Sequence, residues 1–146
     1  MRPMTSARLD SALIVLVAWV LGASCGSTQQ QINLAGKWSA SETYEAPTND
    51  PLYATWTIVQ NGAEFDITSV RTSGGTRSGS GSISGAEIVF HLPCFAAKCG
   101  PCTYRFTGSV MGAVDTANQM EGDVAFCAED PSLTTHGKWS ATRQGG

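Results

Sequence analysis

Short segments in which apolar and polar residues alternate recur along most of the chain, and this alternation constrains the fold more than any other feature. In residues 64–70 (EFDITSV), Phe65 and Ile67 alternate with acidic and hydroxyl side chains. A period of two with one polar face is typical of an antiparallel strand that buries one side. Asn61-Gly62, just before it, is a strong hairpin signal. Similar segments predict strands at 34–42, 54–60, 64–70, 76–84, 87–92, 103–111, 120–127 and 137–143.

About eight strands joined by mostly short connections predict an all-β domain. Charged residues make up only 14% of the chain, against roughly 25% in a typical soluble protein, and no helical period follows residue 24. An antiparallel up-and-down barrel is favoured because closure removes exposed sheet edges. A two-sheet β-sandwich is the alternative. Gly79 and Gly81 in the fourth strand would permit the sheet to coil.

A repeated pentapeptide supports closure of the barrel. The sequence GKWSA occurs at residues 36–40 and again at 137–141, on the first and last predicted strands. These two strands would be neighbours in a closed barrel. Two tryptophans at that seam, Trp38 and Trp139, would bury a large area and seal one end. A chance repeat of turn and core residues is the alternative interpretation.

Gly36-x-Trp38 in the first strand, with Arg143 at the end of the last, resembles the calycin superfamily of lipocalin-like and avidin-like barrels. The segment 34–40 (LAGKWSA) is also similar to the opening strand of avidin-type proteins, although the biotin-binding residues of avidins have no matching positions here. In calycins the arginine packs over the first-strand tryptophan, so the resemblance implies a cation–π contact between Arg143 and Trp38. It also implies a small apolar ligand.

The N-terminal 24 residues have the features of an export signal. Arg2 and Arg8 precede the apolar run 12–21 (ALIVLVAWVL), and Asp10 beside that run is unusual. The run is too short to span a bilayer, which needs about 20 residues, but it suits the core of a signal peptide. We therefore expect residues 1–24 to be a cleaved signal peptide and the protein to be exported.

The end of the signal, residues 21–25 (LGASC), resembles the lipobox of bacterial lipoproteins, in which the cysteine is acylated and becomes the first mature residue. The resemblance implies a lipid on Cys25, a flexible polar tether over 25–33, and a barrel domain over 34–146 anchored to a bacterial membrane in the cell envelope. Leu21 lies four residues before Cys25, whereas the usual pattern has three. Ordinary cleavage, giving a soluble secreted or periplasmic protein, is the alternative.

The cysteine count fits an oxidising compartment. The chain has five cysteines, and lipidation of Cys25 would leave an even set: Cys94, Cys99, Cys102 and Cys127. Two structural disulfides that pin the 93–102 loop are our expectation. Three pairings of the four cysteines are possible, and those in which Cys127 reaches back into the loop are favoured because its strand is the expected hairpin partner of 103–111. Two alternatives are a redox site, because residues 99–102 read CGPC, and an iron–sulfur or zinc site. The redox site lacks its usual βαβ context, and a chain that is exported unfolded would reach an oxidising compartment without its cluster, so we expect no metal and no cofactor.

The remaining residues indicate no catalytic constellation and no nucleic-acid surface. Removal of the signal, with two arginines and one aspartate, leaves a net charge of −4, which disfavours polyanionic partners. His91 and His136 lack a nucleophile motif, and His91 is expected to face solvent. The scattered carboxylates are expected on solvated strand faces; they are Glu42, Glu45, Asp50, Asp66, Glu87, Asp123 and Asp130.

The sequence therefore favours a non-enzymatic protein that binds a small apolar or amphipathic ligand in the mouth of the barrel. The candidate lining residues are aromatic side chains on predicted inward positions: Trp38, Trp56, Tyr104, Phe106 and Phe126. A plain packed core is the alternative role for each of them. A second hypothesis is a protein-interaction or inhibitor module of the envelope that uses the 93–102 loop and Phe95.

Overall fold

A computed structural model of the chain describes residues 30–45, 50–94, 103–127 and 134–145. Within them every strand pairs antiparallel with its sequence neighbours, and the last pairs back with the first. The chain is thus a closed up-and-down barrel, as predicted, and not a sandwich. The strands are β1 Gly36–Tyr44, β2 Leu52–Asn61, β3 Glu64–Arg71, β4 Thr76–Ser84, β5 Glu87–Pro93, β6 Thr103–Met111, β7 Gln119–Phe126 and β8 Thr135–Arg143.

The hairpin between β2 and β3 shows how the local sequence sets the register. Asn61 pairs with Glu64 across the two-residue turn Gly62-Ala63. Gly62 has a φ of 63°, a conformation that glycine adopts at little cost and that a type II′ turn needs at its first central position. With this register, Phe65 and Ile67 face the interior and are buried.

The seam between β1 and β8 corrects one expectation about the repeated pentapeptide. Trp38 pairs with Arg143, whereas Trp139 pairs with Glu42. The two strands are antiparallel, so the two copies of GKWSA run in opposite directions and their tryptophans lie at different heights. The repeat does lie on the seam, but the expectation that both rings seal the same end is wrong.

Aromatic rings fill the middle of the barrel. Phe90 and Phe106 stack with centroids 4.4 Å apart, and Trp56 meets them edge-on at 5.2 and 5.7 Å. Trp139 lies 5.4 Å from Trp56. Glycine in β4 makes room for this packing, because a Cβ on Gly81 would lie 2.4 Å from the Cβ of Phe90. An eight-stranded barrel is just wide enough for its own side chains to fill it.

The up-and-down topology gives the barrel two different ends. The closed end carries residues 30–35, the turns at residues 62–63 and 85–86, and the connection 112–118. The loop end carries the connections 45–51, 72–75, 94–102 and 127–134.

Candidate functional site

Arg143 organises the closed end. Its guanidinium carbon lies 4.6 Å from the ring centroid of Trp38, the contact that the calycin resemblance implies. The same side chain donates hydrogen bonds to the backbone carbonyls of Ala35 (2.6 Å), Ala117 (3.0 Å) and Asn33 (2.5 Å). Desolvation by burial lowers the pKa of Arg143 from its ordinary value. One side chain thus ties the last strand to the N-terminal segment and to the β6–β7 connection.

The N-terminal segment is packed into the same end. Ile32 and Leu34 are buried. The Gln60 side chain accepts a hydrogen bond from the backbone N–H of Leu34 (2.5 Å) and donates one to the carbonyl of Ile32 (2.9 Å). Ile32 falls within the polar stretch interpreted as a flexible tether, yet its side chain belongs to the packed end. The ordered barrel therefore begins before residue 34.

The loop end holds a buried carboxylate that the sequence analysis placed in solvent. Glu42 points inward from β1 and is only 1% exposed, so the expectation of a solvated strand face was wrong for this residue. Its carboxylate accepts hydrogen bonds from Tyr44 Oη (2.8 Å), Arg71 Nη2 (3.2 Å) and Arg77 Nη2 (3.3 Å). These donors offset the cost of removing the charge from water.

Three aromatic rings border this ionic cluster. Arg77 lies 4.6 Å and Arg71 5.6 Å from the centroid of Tyr104. Tyr104 in turn packs against Phe126 at 4.8 Å and against Tyr44 at 6.1 Å. The rings of Tyr44, Tyr104 and Phe126 are half-buried. The loop end therefore combines inward-facing charges with aromatic surface that solvent can reach.

Burial and neighbouring charges act together on the titratable groups here. Burial, reinforced by the charge of Glu42, raises the pKa of Tyr44 far above its ordinary value, so its hydroxyl stays protonated and donates to Glu42. Burial lowers the pKa of Arg77, outweighing the opposite effect of Glu42. For Arg71 burial also acts to lower the pKa, but Glu42 and Tyr104 outweigh it and the pKa is raised. Both guanidinium groups remain cationic at neutral pH.

Among the residues that the structure describes, no hydrogen-bond partner is found for the buried atoms Ser69 Oγ, Trp56 Nε1 and Arg71 Nε. Ser69 is fully buried and pairs with Trp56 on one side and with Arg77 on the other. Unpaired buried donors cost about 1–3 kcal/mol each. Ser69 and Trp56 are direct cross-strand neighbours, whereas Arg71 pairs with Ala54 in the next inward row toward the loop end.

The five predicted lining residues fall into two sets. Trp38 at the closed end and Trp56 and Phe106 in the middle are fully buried and serve as packed core. Tyr104 and Phe126 alone lie at the loop end and keep some exposure. Within the described part of the chain, a depression of about 690 Å³ lies on the outer wall formed by β6, β7, β8 and β1, and depressions of about 510 and 310 Å³ lie at the closed end. None of these three is lined by any of the five predicted residues.

The cysteines are only partly described. Cys94 and Cys127 are disulfide-bonded, and they lie where β5 and β7 end at the loop end. Cys25, Cys99 and Cys102 lie outside the described residues, so lipidation and the pairing of the four cysteines remain predictions. Cys127 is buried with a φ of 57°, an uncommon conformation for a residue other than glycine.

Metal-binding and membrane-spanning features were searched in the described ranges only. There, no group of three or more His, Cys, Asp or Glu side chains is placed to hold a metal ion. No helix among these residues is long and apolar enough to cross a membrane. His91 and His136 are exposed on the outer wall. The CGPC stretch at 99–102 and Phe95 lie outside the description.

Comparison with known proteins adds support for the fold. No protein-family model matches the chain, and no curated protein matches it. Among solved structures, a redesigned β-barrel aligns with a TM-score of 0.56 and 14% identity, covering 77% of this chain and 92% of that one. A de novo designed fluorescence-activating β-barrel aligns at 0.44 with 17% identity, over 75% and 93% of the two chains. The first likeness, at so low an identity, concerns the barrel fold alone.

Proposed function

We propose that this protein is an exported, lipid-anchored, non-enzymatic binding protein that takes a small amphipathic ligand into the loop end of its barrel. The observation that carries the proposal is the composition of that end. Half-buried rings of Tyr44, Tyr104 and Phe126 lie beside the inward-facing charges of Glu42 and Arg71. A ligand with an apolar part and a polar group matches such a surface.

The filled interior restricts the ligand to the loop end. A ligand in the middle of the barrel would have to displace the rings of Trp56 and Phe106, which are fully buried. Removing a buried aromatic side chain from a core costs about 3–5 kcal/mol. Tyr104 and Phe126 therefore remain the candidate lining residues. Trp38, Trp56 and Phe106 belong to the packed core and are not expected to contact the ligand's apolar part.

The membrane anchor, if Cys25 is acylated, lies at the opposite end from this mouth. Gln30 is at the closed end, where its side chain donates a 3.2 Å hydrogen bond to Asp115. Gln30 is five positions after Cys25 in the sequence, a reach of at most about 18 Å. Strands of this length, tilted as in other barrels, make the barrel about 20–25 Å tall. The mouth would then face away from the bilayer, and the ligand would arrive from water.

The disulfide bonding of two cysteines supports the proposal that the protein is exported. Disulfides persist in oxidising compartments and are rare in the cytosol. The disulfide-bonded Cys94 and Cys127 therefore fit the signal peptide expected at residues 1–24. The hypotheses of a redox site at 99–102 and of an envelope interaction loop at 93–102 rest mainly on residues outside the description. Ligand binding at the loop end is therefore the function that the described contacts favour.

A binding measurement with matched variants tests the proposal. The mature chain with Cys25→Ser, which keeps it in water, would be titrated calorimetrically with decanoate as the amphipathic probe. We expect Tyr104→Ala to weaken binding at least tenfold and Tyr53→Ala to leave it unchanged, because Tyr53 is 58% exposed on the outer wall. No binding at millimolar decanoate, or equal affinities for the two variants, would contradict the ligand site.

The anchor is tested separately by mass spectrometry of the unmodified chain purified from membranes. An acyl mass on Cys25 is expected. A mature protein without it would refute the lipid anchor and leave the ligand site unaffected.

A further inference from the structure

We infer that Cys94 and Cys127 are not bonded to each other, and that each forms a disulfide with one of the two cysteines of the CGPC stretch, Cys99 and Cys102. The CGPC stretch lies outside the described residues, so the inference is drawn from the positions of Cys94 and Cys127. It leaves Cys25 as the one cysteine without a disulfide. It goes beyond the proposed function and does not depend on ligand binding.

The strand register places Cys94 and Cys127 on opposite sides of β6. Cys94 directly follows the last residue of β5, which pairs with Thr103 at the start of β6. Cys127 directly follows Phe126, which pairs with Tyr104, so Cys127 lies level with Thr103 on the other edge of β6. Both cysteines therefore lie near the same height at the loop end, with one strand between them.

The separation across β6 is too large for a disulfide. Neighbouring strands lie about 4.8 Å apart, so two strands that flank a third are about 9 Å apart when the curvature of the barrel is allowed for. Cα atoms of disulfide-bonded cysteines are about 4.4–6.8 Å apart, and beyond about 7 Å the bond requires movement of the backbone. Cys94 and Cys127 are nevertheless both disulfide-bonded. Each of them therefore has a separate partner.

Cys25 is too far away to be that partner. Gln30 lies at the closed end, where it lines the same depression as Gly85, and Cys25 is within about 18 Å of Gln30. Cys94 is nine positions after Gly85, at the far end of β5, which is about 30 Å at the rise of an extended strand. Cys127 lies at the same end of the barrel as Cys94. The distance to the loop end thus exceeds the reach of Cys25.

The cysteine count then identifies the partners. The chain has five cysteines, and exclusion of Cys25 leaves only Cys99 and Cys102 to bond with Cys94 and Cys127. Of the three ways to pair these four, the one that joins Cys99 to Cys102 is excluded. A redox site of the CGPC type needs its own two cysteines to alternate between a dithiol and a mutual disulfide. The pairing therefore also argues against a redox function of residues 99–102.

Peptide mapping without reduction tests this pairing, because trypsin cleaves after Lys98 and Arg105 and so separates the cysteines. The peptides are 78–98 with Cys94, 99–105 with Cys99 and Cys102, and 106–138 with Cys127. The unsubstituted chain, purified from membranes, is alkylated in denaturant before digestion, so that free thiols are marked and cannot exchange. We expect one species in which two disulfides join all three peptides, and its separation into three peptides after reduction.

Any other arrangement would overturn the inference. The clearest contradiction is peptide 99–105 recovered alone with an internal disulfide, together with peptide 78–98 joined directly to 106–138. Alkylation of Cys94 or Cys127, or a disulfide on Cys25, would contradict it as well. None of these results bears on ligand binding, so the inference can fail while the ligand site stands.

Two matched variants sharpen the test. In Cys94→Ser the thiol that loses its partner should be alkylated within peptide 99–105, and Cys127 should stay bonded to that same peptide. Alkylation of Cys127 in this variant would show that Cys94 and Cys127 are bonded to each other, and would overturn the inference. The control Cys25→Ser should give the same three-peptide species as the unsubstituted chain.

Discussion

Each end of the barrel contains an arginine packed over an aromatic ring, but the surroundings of the two arginines differ. At the closed end Arg143 lies 4.6 Å from the ring of Trp38, and at the loop end Arg77 lies 4.6 Å from the ring of Tyr104. The surroundings differ. Arg143 donates to neutral backbone carbonyls of three segments, whereas Arg77 shares the carboxylate of Glu42 with a second arginine.

From this difference we infer that the closed end mainly stabilises the fold and that the loop end mainly serves ligand binding. At the closed end, apolar burial and the hydrogen bonds from Arg143 to three neutral carbonyls stabilise the fold, and the guanidinium group is only partly buried, which limits the cost of removing its charge from water. A buried ion network is weak evidence for stability, since apolar residues of similar volume often replace it without loss. The closed end is therefore the stabilising end, and we interpret the ionic cluster of the loop end as retained for ligand binding.

The largest effect is expected at the closed end from Trp38→Ala. The ring is fully buried, stacks under Arg143 and donates from Nε1 to the carbonyl of Leu34 at 2.9 Å. Its removal should lower the free energy of unfolding by about 4–5 kcal/mol, as for other buried tryptophans. Urea denaturation of the mature chain measures this. A loss below about 2 kcal/mol would show that the closed end is not the main stabilising region.

A smaller loss is expected at the loop end from Glu42→Gln. The change leaves two buried guanidinium groups without their carboxylate, which costs about 3 kcal/mol when one partner of a buried pair is removed. Urea denaturation of the mature chain measures this loss. A loss below about 1 kcal/mol would show that the Glu42 carboxylate does little to offset the charges of the two arginines.

Replacing Arg143 tests how the closed end is held together. Arg143→Lys keeps the charge, but an ammonium group lacks the planar fork that reaches several carbonyls at once. We expect a loss of about 2 kcal/mol, with weakened hydrogen-exchange protection of the Leu34 amide, which is bound to Gln60. If the lysine variant had the same free energy of unfolding and the same Leu34 protection as the unsubstituted protein, the charge of Arg143 and not its hydrogen-bond geometry would hold the closed end together.

The smallest effect is a pH dependence confined to the loop end. Burial raises the pKa of Tyr44 in the folded state, whereas the unfolded value is about 10. Above pH 10 the folded state holds this proton more tightly than the unfolded state, so stability falls as pH rises. The slope from this one group is about 1.4 kcal/mol per pH unit and vanishes below pH 9. Urea denaturation between pH 8 and 11 should show a shallower decline for Tyr44→Phe; equal slopes would contradict the shift.

The sequence predicts the strands of the barrel better than it predicts which polar side chains lie inside. Alternation predicts all eight strands because successive side chains on a strand point to opposite faces, so that Phe65 and Ile67, two positions apart, share the inward face. The contact of Arg143 with Trp38 was expected from the resemblance to calycins, in which an arginine at the end of the last strand packs over the first-strand tryptophan. Glu42 was misplaced, although it alternates in step with Trp38 and Ala40, because a charged residue is normally assigned to solvent.

The paired arginines could not have been found from pattern alone. Arg71 and Arg77 belong to different strands, and their meeting at Glu42 depends on the register of β1, β3 and β4 around the closed barrel. For the same reason, the sequence pattern does not show which aromatic residues form the core and which lie at the loop end. Trp56 and Tyr104 share the inward side, but only the topology shows that Tyr104 lies at the loop end.

The claim that the loop-end ions serve binding more than stability is tested most directly by replacing them together. In the variant Glu42→Leu, Arg71→Met, Arg77→Met, apolar side chains of similar size would occupy the cluster. Urea denaturation should give a free energy of unfolding equal to that of the unsubstituted chain or up to about 4 kcal/mol higher, as when other buried ion networks are replaced. A loss of more than about 3 kcal/mol would contradict the account, because the ions would then be holding the fold together.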